Sequence, residues 1–221
     1  MSYNIAIDGP AGAGKSTIAK AVAKKMGLIY VDTGSMYRAM ALHMLKNGID
    51  IENDAAVIAE CVKPDITIKY EDGVQVVYLN GENVNAFLRT EEVGNAASKT
   101  SVLMPVRVRL VELQQKLAAE SDCIMDGRDI GTCVLPNADV KIYLTASSAV
   151  RAKRRYDELT AKGEVCDIAE IQRVIEERDY RDMNREASPL KQADDAVLVD
   201  TSDMTIEEVI AAIIAICDSK K

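Results

Sequence analysis

The sequence is poor in aromatic residues and in histidine, and it lacks a long apolar run. It contains no tryptophan, one phenylalanine and one histidine among 221 residues. No apolar run approaches the roughly 18 residues that a membrane-spanning helix needs. No basic segment followed by an apolar stretch marks a secretory signal. We therefore expect a protein that does not contact a membrane.

Paired cysteine motifs are also absent. The five cysteines are scattered, with no Cys-x-x-Cys pair. With only one histidine beside them, this pattern disfavours both a zinc site and a disulfide framework. Unpaired cysteines are typical of a reducing compartment, so we expect a cytoplasmic location.

The sequence has no excess of positive charge. Lysine and arginine total 27 and aspartate and glutamate total 35, for a net charge of −8. Nucleic-acid polymers are bound largely through lysine and arginine on phosphates, so this balance excludes them as expected partners. A small phosphorylated substrate needs only a few local cations and remains compatible.

Short apolar segments alternate with segments of helical periodicity. This pattern predicts an α/β fold of three layers, α/β/α, around a central parallel five-stranded sheet. The predicted strands are residues 3–7, 28–31, 123–125, 140–144 and 196–199, and the clearest helices are 16–26, 35–45 and 205–216.

One stretch departs from this rhythm. Residues 65–84 alternate apolar and polar residues around Asp72-Gly73, with a second turn signal at Asn80-Gly81. Asp-Gly between two strand-like runs is a strong hairpin signal. We predict a small antiparallel insert at about 65–85.

A glycine-rich segment follows the first predicted strand. Gly9-Pro10-Ala11-Gly12-Ala13-Gly14-Lys15-Ser16 fits G-x-x-x-x-G-K-[ST] and opens a predicted helix that continues with Thr17. The glycines let backbone amides wrap around phosphate oxygens at the positive end of the helix. Lys15 would reach the β- and γ-phosphates and the Ser16 hydroxyl would bind Mg²⁺. The segment predicts binding of a nucleoside triphosphate.

Several proteins use such a loop, and the rest of the sequence narrows the choice. The Asn-Lys-x-Asp and Asp-x-x-Gly elements of regulatory GTPases are missing. A motor or large ATPase would be much longer. A small-molecule kinase fits best, and a nucleotide-sensing switch without catalysis is the non-enzyme alternative.

Two further segments follow predicted strands, where ligands bind in parallel sheets. The first, Asp32 to Arg38, offers the Thr33 hydroxyl and a guanidinium suited to phosphate. The second is Asp126-Gly127-Arg128-Asp129, in which Asp126 would hold Mg²⁺ through water. A solvated surface charge is the alternative for Arg38.

Seven arginines fall on two consecutive predicted helices near the end of the chain: Arg151, Arg154, Arg155, Arg173, Arg178, Arg181 and Arg185. The last three are spaced three and four residues apart and therefore share one helix face. Interleaved acidic residues favour a salt-bridged surface helix as the alternative. The preference for arginine over lysine favours phosphate clamping, because planar guanidinium groups suit it.

Together these motifs resemble the bacterial cytidylate kinase family. The resemblance covers nearly the whole chain and is carried by six segments: Gly9–Ser16, Asp32–Arg38, Asn95-Ala96-Ala97-Ser98, Val106-Arg107, Asp126–Thr132 and Glu177–Arg185. Pro105 stands one residue nearer Arg107 than in the usual family pattern.

The resemblance implies a Mg²⁺-dependent transfer of the ATP γ-phosphate to CMP or dCMP, in pyrimidine nucleotide metabolism. It implies one kinase domain over 1–221, with a core (1–32, 101–150 and 190–221), a monophosphate-binding region at about 33–100, a lid at about 151–165 and a following helix at 167–187. The 65–84 hairpin matches the family's insert.

The resemblance also implies a role for individual residues. ATP would be bound by residues 9–17 together with Arg154 and Arg155. Catalysis would rest on Lys15, Arg128, Arg181 and Arg185. CMP would be bound by Thr33, Tyr37, Arg38, Ser98, Arg107, Gly127, Arg128, Asp129, Arg178, Asp182 and Arg185. Thr33 stands where many members have serine. With no long apolar face left over, we expect a monomer.

Overall fold

A computed structural model describes residues 2–71 and 73–220. The strands are β1 (Asn4–Asp8), β2 (Ile29–Asp32), β3 (Ile66–Glu71), β4 (Val74–Leu79), β5 (Glu82–Asn83), β6 (Cys123–Gly127), β7 (Val140–Thr145) and β8 (Val197–Asp200). The helices are α1 (Lys15–Met26), α2 (Thr33–Lys46), α3 (Asp54–Glu60), α4 (Glu91–Thr100), α5 (Met104–Glu120), α6 (Ser148–Ala161), α7 (Ile168–Asn184) and α8 (Ile206–Ser219).

The larger sheet has five strands in the order β2-β6-β1-β7-β8, and helices surround it. Strand β1 pairs in parallel with β6 and with β7, and β7 pairs in parallel with β8. Ile5, Ala6 and Ile7 of β1 are completely buried, as expected for a strand covered on both faces. The prediction of an α/β fold around a parallel five-stranded sheet is confirmed.

The smaller sheet is antiparallel, in the order β3-β4-β5. Its first pairing runs from Ile66 opposite Leu79 to Glu71 opposite Val74. The predicted insert is therefore confirmed, and its second turn, at Asn80-Gly81, has φ of 51° and 84°. Of the Asp72-Gly73 turn, Asp72 lies outside the described residues.

Helix ends follow local sequence signals. Helix α1 ends at Met26 and is capped by Gly27, which has a φ of 70°, a left-handed conformation that suits glycine. Helix α8 begins with a capping box between Thr205 and Glu208. The three helices predicted from periodicity are present, and α8 extends three residues beyond its predicted end.

The chain divides into two compact units. The first unit comprises Ile29–Asp122 with Ser2, and the second comprises Tyr3–Leu28 with 123–220. In the second unit, α1 packs on β1, β6 and α8, and α6 packs on α7. In the first unit, α2 packs on α4 and on the insert strands. Within the described part of the chain, no helix combines the length and apolarity needed to cross a membrane.

Candidate functional site

The glycine-rich loop of the second unit connects β1 to α1. Its glycines at positions 9, 12 and 14 have φ of 148°, 76° and 87°. A Cβ atom on Gly9 would lie 1.9 Å from the carbonyl oxygen of Leu144. Only glycine fits at that position, because the loop passes so close to the β7 backbone. Helix α1 carries no acidic residue in its first turn, so its N-terminus favours an anion.

Lys15 lies inside this loop. Its Nζ atom donates a hydrogen bond to the carbonyl oxygen of Pro10 at 2.7 Å, and the residue is 6% exposed. Burial holds the pKa of Lys15 well below its ordinary value, and Arg128 lowers it further, whereas Asp126 and Asp8 act in the opposite direction. A phosphate bound in the loop would favour the protonated amine.

Ser16 and Asp126 meet at the same end of the sheet. The Ser16 hydroxyl donates to Asp126 Oδ2 at 2.8 Å. Asp126 is 5% exposed and lies opposite Ile7 in the pairing of β1 with β6. A hydroxyl and a carboxylate are hard oxygen ligands of the kind that Mg²⁺ prefers. These two residues therefore fit the predicted metal.

Asp8 is a site residue that the sequence patterns did not single out. It ends β1, and its two carboxylate oxygens accept hydrogen bonds from the amides of Ile130 and Gly131, each at 2.7 Å. Burial raises the pKa of Asp8 to about 6, although the two amides favour the carboxylate. The contact holds the π-helical turn Ile130–Val134, which follows Arg128 and Asp129 directly. The sequence signal that could have identified Asp8 is an acidic residue at the end of an apolar strand, directly before the glycine-rich loop.

Arg128 lies beside helix α7. Its Nε atom donates to Asp182 Oδ2 at 2.9 Å, and one terminal nitrogen contacts the carbonyl oxygen of Gly127 at 3.4 Å. Burial opposes the charge on Asp182, but Arg128, with help from Arg178 and Arg185, holds the pKa of Asp182 below its ordinary value. The sequence-predicted Arg128 and Asp182 are thus in direct contact.

Arg185 and Asp129 form a second charged pair. A terminal nitrogen of Arg185 lies 3.6 Å from Asp129 Oδ1, and both side chains are more than nine-tenths buried. Helix α7 ends at Asn184, so Arg185 is its C-cap with extended backbone and not a helical residue as its spacing suggested. Its Nε atom donates to the carbonyl oxygen of Ser188.

A buried ion pair joins the glycine-rich loop to α7, and the sequence analysis did not identify it. Arg151 of α6 donates through two nitrogens to the carboxylate of Asp179, at 3.1 and 2.5 Å. It also donates to the carbonyl oxygens of Ala11, at 2.9 Å, and Ala146, at 2.8 Å. Periodicity could not reveal a pair whose members are 28 residues apart.

Three other predicted arginines are exposed. Arg154 donates to the carbonyl oxygen of Thr201 at 2.7 Å, and Arg155 pairs with Glu158 of its own helix at 2.8 Å. The Arg181 side chain is exposed, and its carbonyl oxygen accepts the backbone N–H of Arg185 at 3.0 Å. Thr17 is exposed as well.

The remaining predicted residues lie in the first unit. Thr33 begins α2 and is 3% exposed. A Cβ atom on Gly34 would lie 3.2 Å from a terminal nitrogen of Arg38, so that guanidinium lies against the first turn of α2. The Arg107 guanidinium lies over the ring of Tyr37, 5.7 Å from its centroid.

Helix α4 contributes to the same region. Tyr37 packs against a small buried cluster formed by Ala41, Ala96 and Ala97. Ser98 is half-buried in α4, and its carbonyl oxygen accepts a hydrogen bond from Ser101. Arg107 in turn donates to the carbonyl oxygen of Ser101 at 3.3 Å.

Comparisons with known proteins find the same family over nearly the whole chain. Residues 5–219 match the family model described as cytidylate kinase. Cytidylate kinase of Lactobacillus johnsonii is 49% identical over 98% of this chain and 94% of its own length. Cytidylate kinase of Lactiplantibacillus plantarum is 49% identical over the whole chain and 97% of its own length.

Solved structures with little sequence identity share the fold. A gluconokinase from Sinorhizobium meliloti has a TM-score of 0.50 at 12% identity, with 98% of this chain and 92% of that chain covered. An uncharacterised protein from Eubacterium ventriosum has a TM-score of 0.52 at 14% identity, with 99% of both chains covered.

Proposed function

Because this chain belongs to the cytidylate kinase family, we propose that it transfers the γ-phosphate of ATP to CMP or dCMP. The products are ADP and CDP or dCDP. The observation that supports the donor side best is the loop around Lys15, with three left-handed glycines and a buried amine that donates to a loop carbonyl.

The reaction is an in-line displacement. A phosphate oxygen of CMP forms a bond to the γ-phosphorus, and the bond from that phosphorus to the β–γ bridging oxygen breaks as ADP leaves. The attacking oxygen is already anionic near neutral pH, so no strong general base is needed. The protein contributes positioning and stabilisation of charge, for which Lys15, Arg128, Arg181 and Arg185 are the candidates.

The acceptor would be held by guanidinium and hydroxyl groups. In this proposal Arg38, Arg128 and Arg185 bind the CMP phosphate. Thr33, Ser98, Arg107 and Asp129 read the cytosine, and Arg178 and Asp182 contact the sugar. Tyr37 supports Arg107 through the face of its ring.

ATP would lie on the glycine-rich loop, with Arg154 and Arg155 of α6 as its further contacts. Ser16 would bind the Mg²⁺ that accompanies ATP, and Asp126 would hold the ion through water. When bound, Mg²⁺ would neutralise phosphate charge. We further propose that the enzyme is a monomer of the cytoplasm, a compartment that suits its five free cysteines.

An acceptor panel tests this function. ADP release is measured with ATP and, in turn, CMP, dCMP, UMP, AMP and shikimate. We expect CMP and dCMP to give the highest kcat/KM. A preference for any of the other three acceptors would contradict the proposal, and nucleotide binding without transfer to any acceptor would favour a nucleotide-sensing switch.

A further inference from the structure

Two side chains of the insert bind the segment that runs from β2 into the first turn of α2, the helix that carries Thr33 and Arg38. Gln75 and Tyr70 face each other across β3 and β4. The Tyr70 hydroxyl donates to the carbonyl oxygen of Tyr30 in β2 at 3.1 Å. The Gln75 amide reaches further along the chain, to Asp32 and Ser35.

Gln75 uses both ends of its amide. Its Oε1 atom accepts the backbone N–H of Asp32 at 2.8 Å. Its Nε2 atom donates to the Ser35 hydroxyl at 2.7 Å and to the carbonyl oxygen of Asp32 at 3.3 Å. Asp32 is the N-cap of α2, and its carboxylate accepts the amide of Ser35. Gln75 thus holds the N-cap and the first turn of α2 by three hydrogen bonds.

The insert also has stabilising contacts of its own. Ile66, Val77 and Leu79 share one face of the β3–β4 pair and are each at most 6% exposed. Asn85 binds the β4 backbone at two points. Its side-chain amide donates to the Gln75 carbonyl oxygen and accepts from the backbone N–H of Val77. The Gln75 side chain is therefore available to bind α2, and apolar burial supplies the stability of the insert.

We propose that Gln75, assisted by Tyr70, is a positioning residue for the acceptor nucleotide. Through the first turn of α2 it sets the place of the Thr33 hydroxyl and of the Arg38 guanidinium, which lies against Gly34 in that turn. The inference rests on the proposed function, because it assigns these two groups to CMP. It gives the antiparallel insert a role in substrate affinity.

The test replaces Gln75 by methionine, which keeps the length of the side chain and removes its hydrogen bonds. We expect the KM and the calorimetric Kd for CMP to rise about tenfold, because each lost hydrogen bond makes a modest contribution to holding the first turn of α2 in place. The KM for ATP, the kcat and the Tm should stay close to those of the wild type.

Two controls separate positioning from general destabilisation. Gln192→Met removes an exposed amide contact to the carbonyl oxygen of Ala196, and Tyr78→Phe removes a hydroxyl contact to Glu71 inside the insert. Neither should change the Kd for CMP. If Gln75→Met does not fold, Tyr70→Phe removes the hydroxyl that donates to Tyr30 and should raise the KM for CMP about threefold.

The outcomes distinguish this inference from the function on which it rests. Wild-type enzyme that neither binds nor phosphorylates CMP would overturn the proposed function. Wild-type enzyme that uses CMP, with an unchanged Kd in Gln75→Met and Tyr70→Phe, would overturn only the role of Gln75. A joint rise of the KM for CMP and for ATP with a lowered Tm would also overturn it.

Discussion

At Gly9 the backbone of the loop lies so close to β7 that a side chain has no room. A Cβ atom would be 1.9 Å from the Leu144 carbonyl oxygen, which is backbone and cannot rotate away. The geometry of the loop therefore depends on this glycine for a reason that the motif alone does not show: the close approach of the Leu144 backbone. At Gly14 the reason for glycine is different. There a Cβ atom would have room, and only the positive φ disfavours other residues.

We predict that Gly9→Ala destabilises the protein strongly and abolishes ATP binding. Gly48→Ala is the matched control, because Gly48 has a φ of 63° but nothing within 4 Å of its Cβ position. That control should cost about 1 kcal/mol, from backbone strain only. Urea unfolding and calorimetry with ATP measure both effects. Equal losses of stability in the two variants would show that the close approach to Leu144 does not matter.

The sequence identified most site residues individually but not their pairing. The loop motif located Lys15 and Ser16, and the strand ends located Asp126 and Arg128. The sequence does not show that Asp8 binds the amides of Ile130 and Gly131, because these residues are 122 and 123 positions away along the chain. Contacts of this kind depend on the register of β1 against β6, which the periodicity of each strand does not fix.

At the scale of elements, helices α6 and α7 are tied to the glycine-rich loop by one side chain. Arg151 satisfies both oxygens of Asp179 and the Ala11 carbonyl at once, while 5% exposed. Arginine suits this position because its planar group donates in several directions. The loop therefore has a direct mechanical connection to the helix that carries Arg178, Arg181 and Asp182.

We predict that Arg151→Lys lowers the free energy of unfolding by about 3 kcal/mol, because it leaves a buried carboxylate only partly compensated. The KM for ATP should rise, since the Ala11 carbonyl loses its donor, while the KM for CMP should change less. Arg173→Lys is the control, because Arg173 is exposed and pairs with Glu170 and Glu177 of its own helix. An Arg151→Lys variant as stable as that control would contradict this role.

The elements were predicted from sequence more fully than their connections. Strand and helix positions follow from apolar spacing, and the insert follows from alternation and from the turn signals Asp72-Gly73 and Asn80-Gly81. The attachment of the insert to α2 did not, because a glutamine in a strand carries no signal of what its amide will bind. Residue spacing likewise predicts that Arg185 is helical, because spacing does not show where a helix ends; α7 ends one residue earlier, at Asn184.

At the scale of the whole molecule, the net charge of −8 conceals a local concentration of cations. Lys15 and Arg128 lie near Asp8 and Asp126, and Arg178 and Arg185 act on Asp182. Buried acids and backbone carbonyls hold these cations in place, as in the contacts of Lys15 with Pro10 and of Arg128 with Asp182. Such a site suits small phosphorylated ligands, and the net negative charge of the chain disfavours polyanions.

The transfer of a phosphoryl group from ATP to CMP is the central claim, and ³¹P NMR of the reaction measures it directly. Wild-type enzyme should convert ATP and CMP into ADP and CDP in equal amounts, and Lys15→Met should slow this on the order of 10²–10³-fold. Formation of ADP with free inorganic phosphate and no CDP, or transfer at an undiminished rate in Lys15→Met, would contradict it.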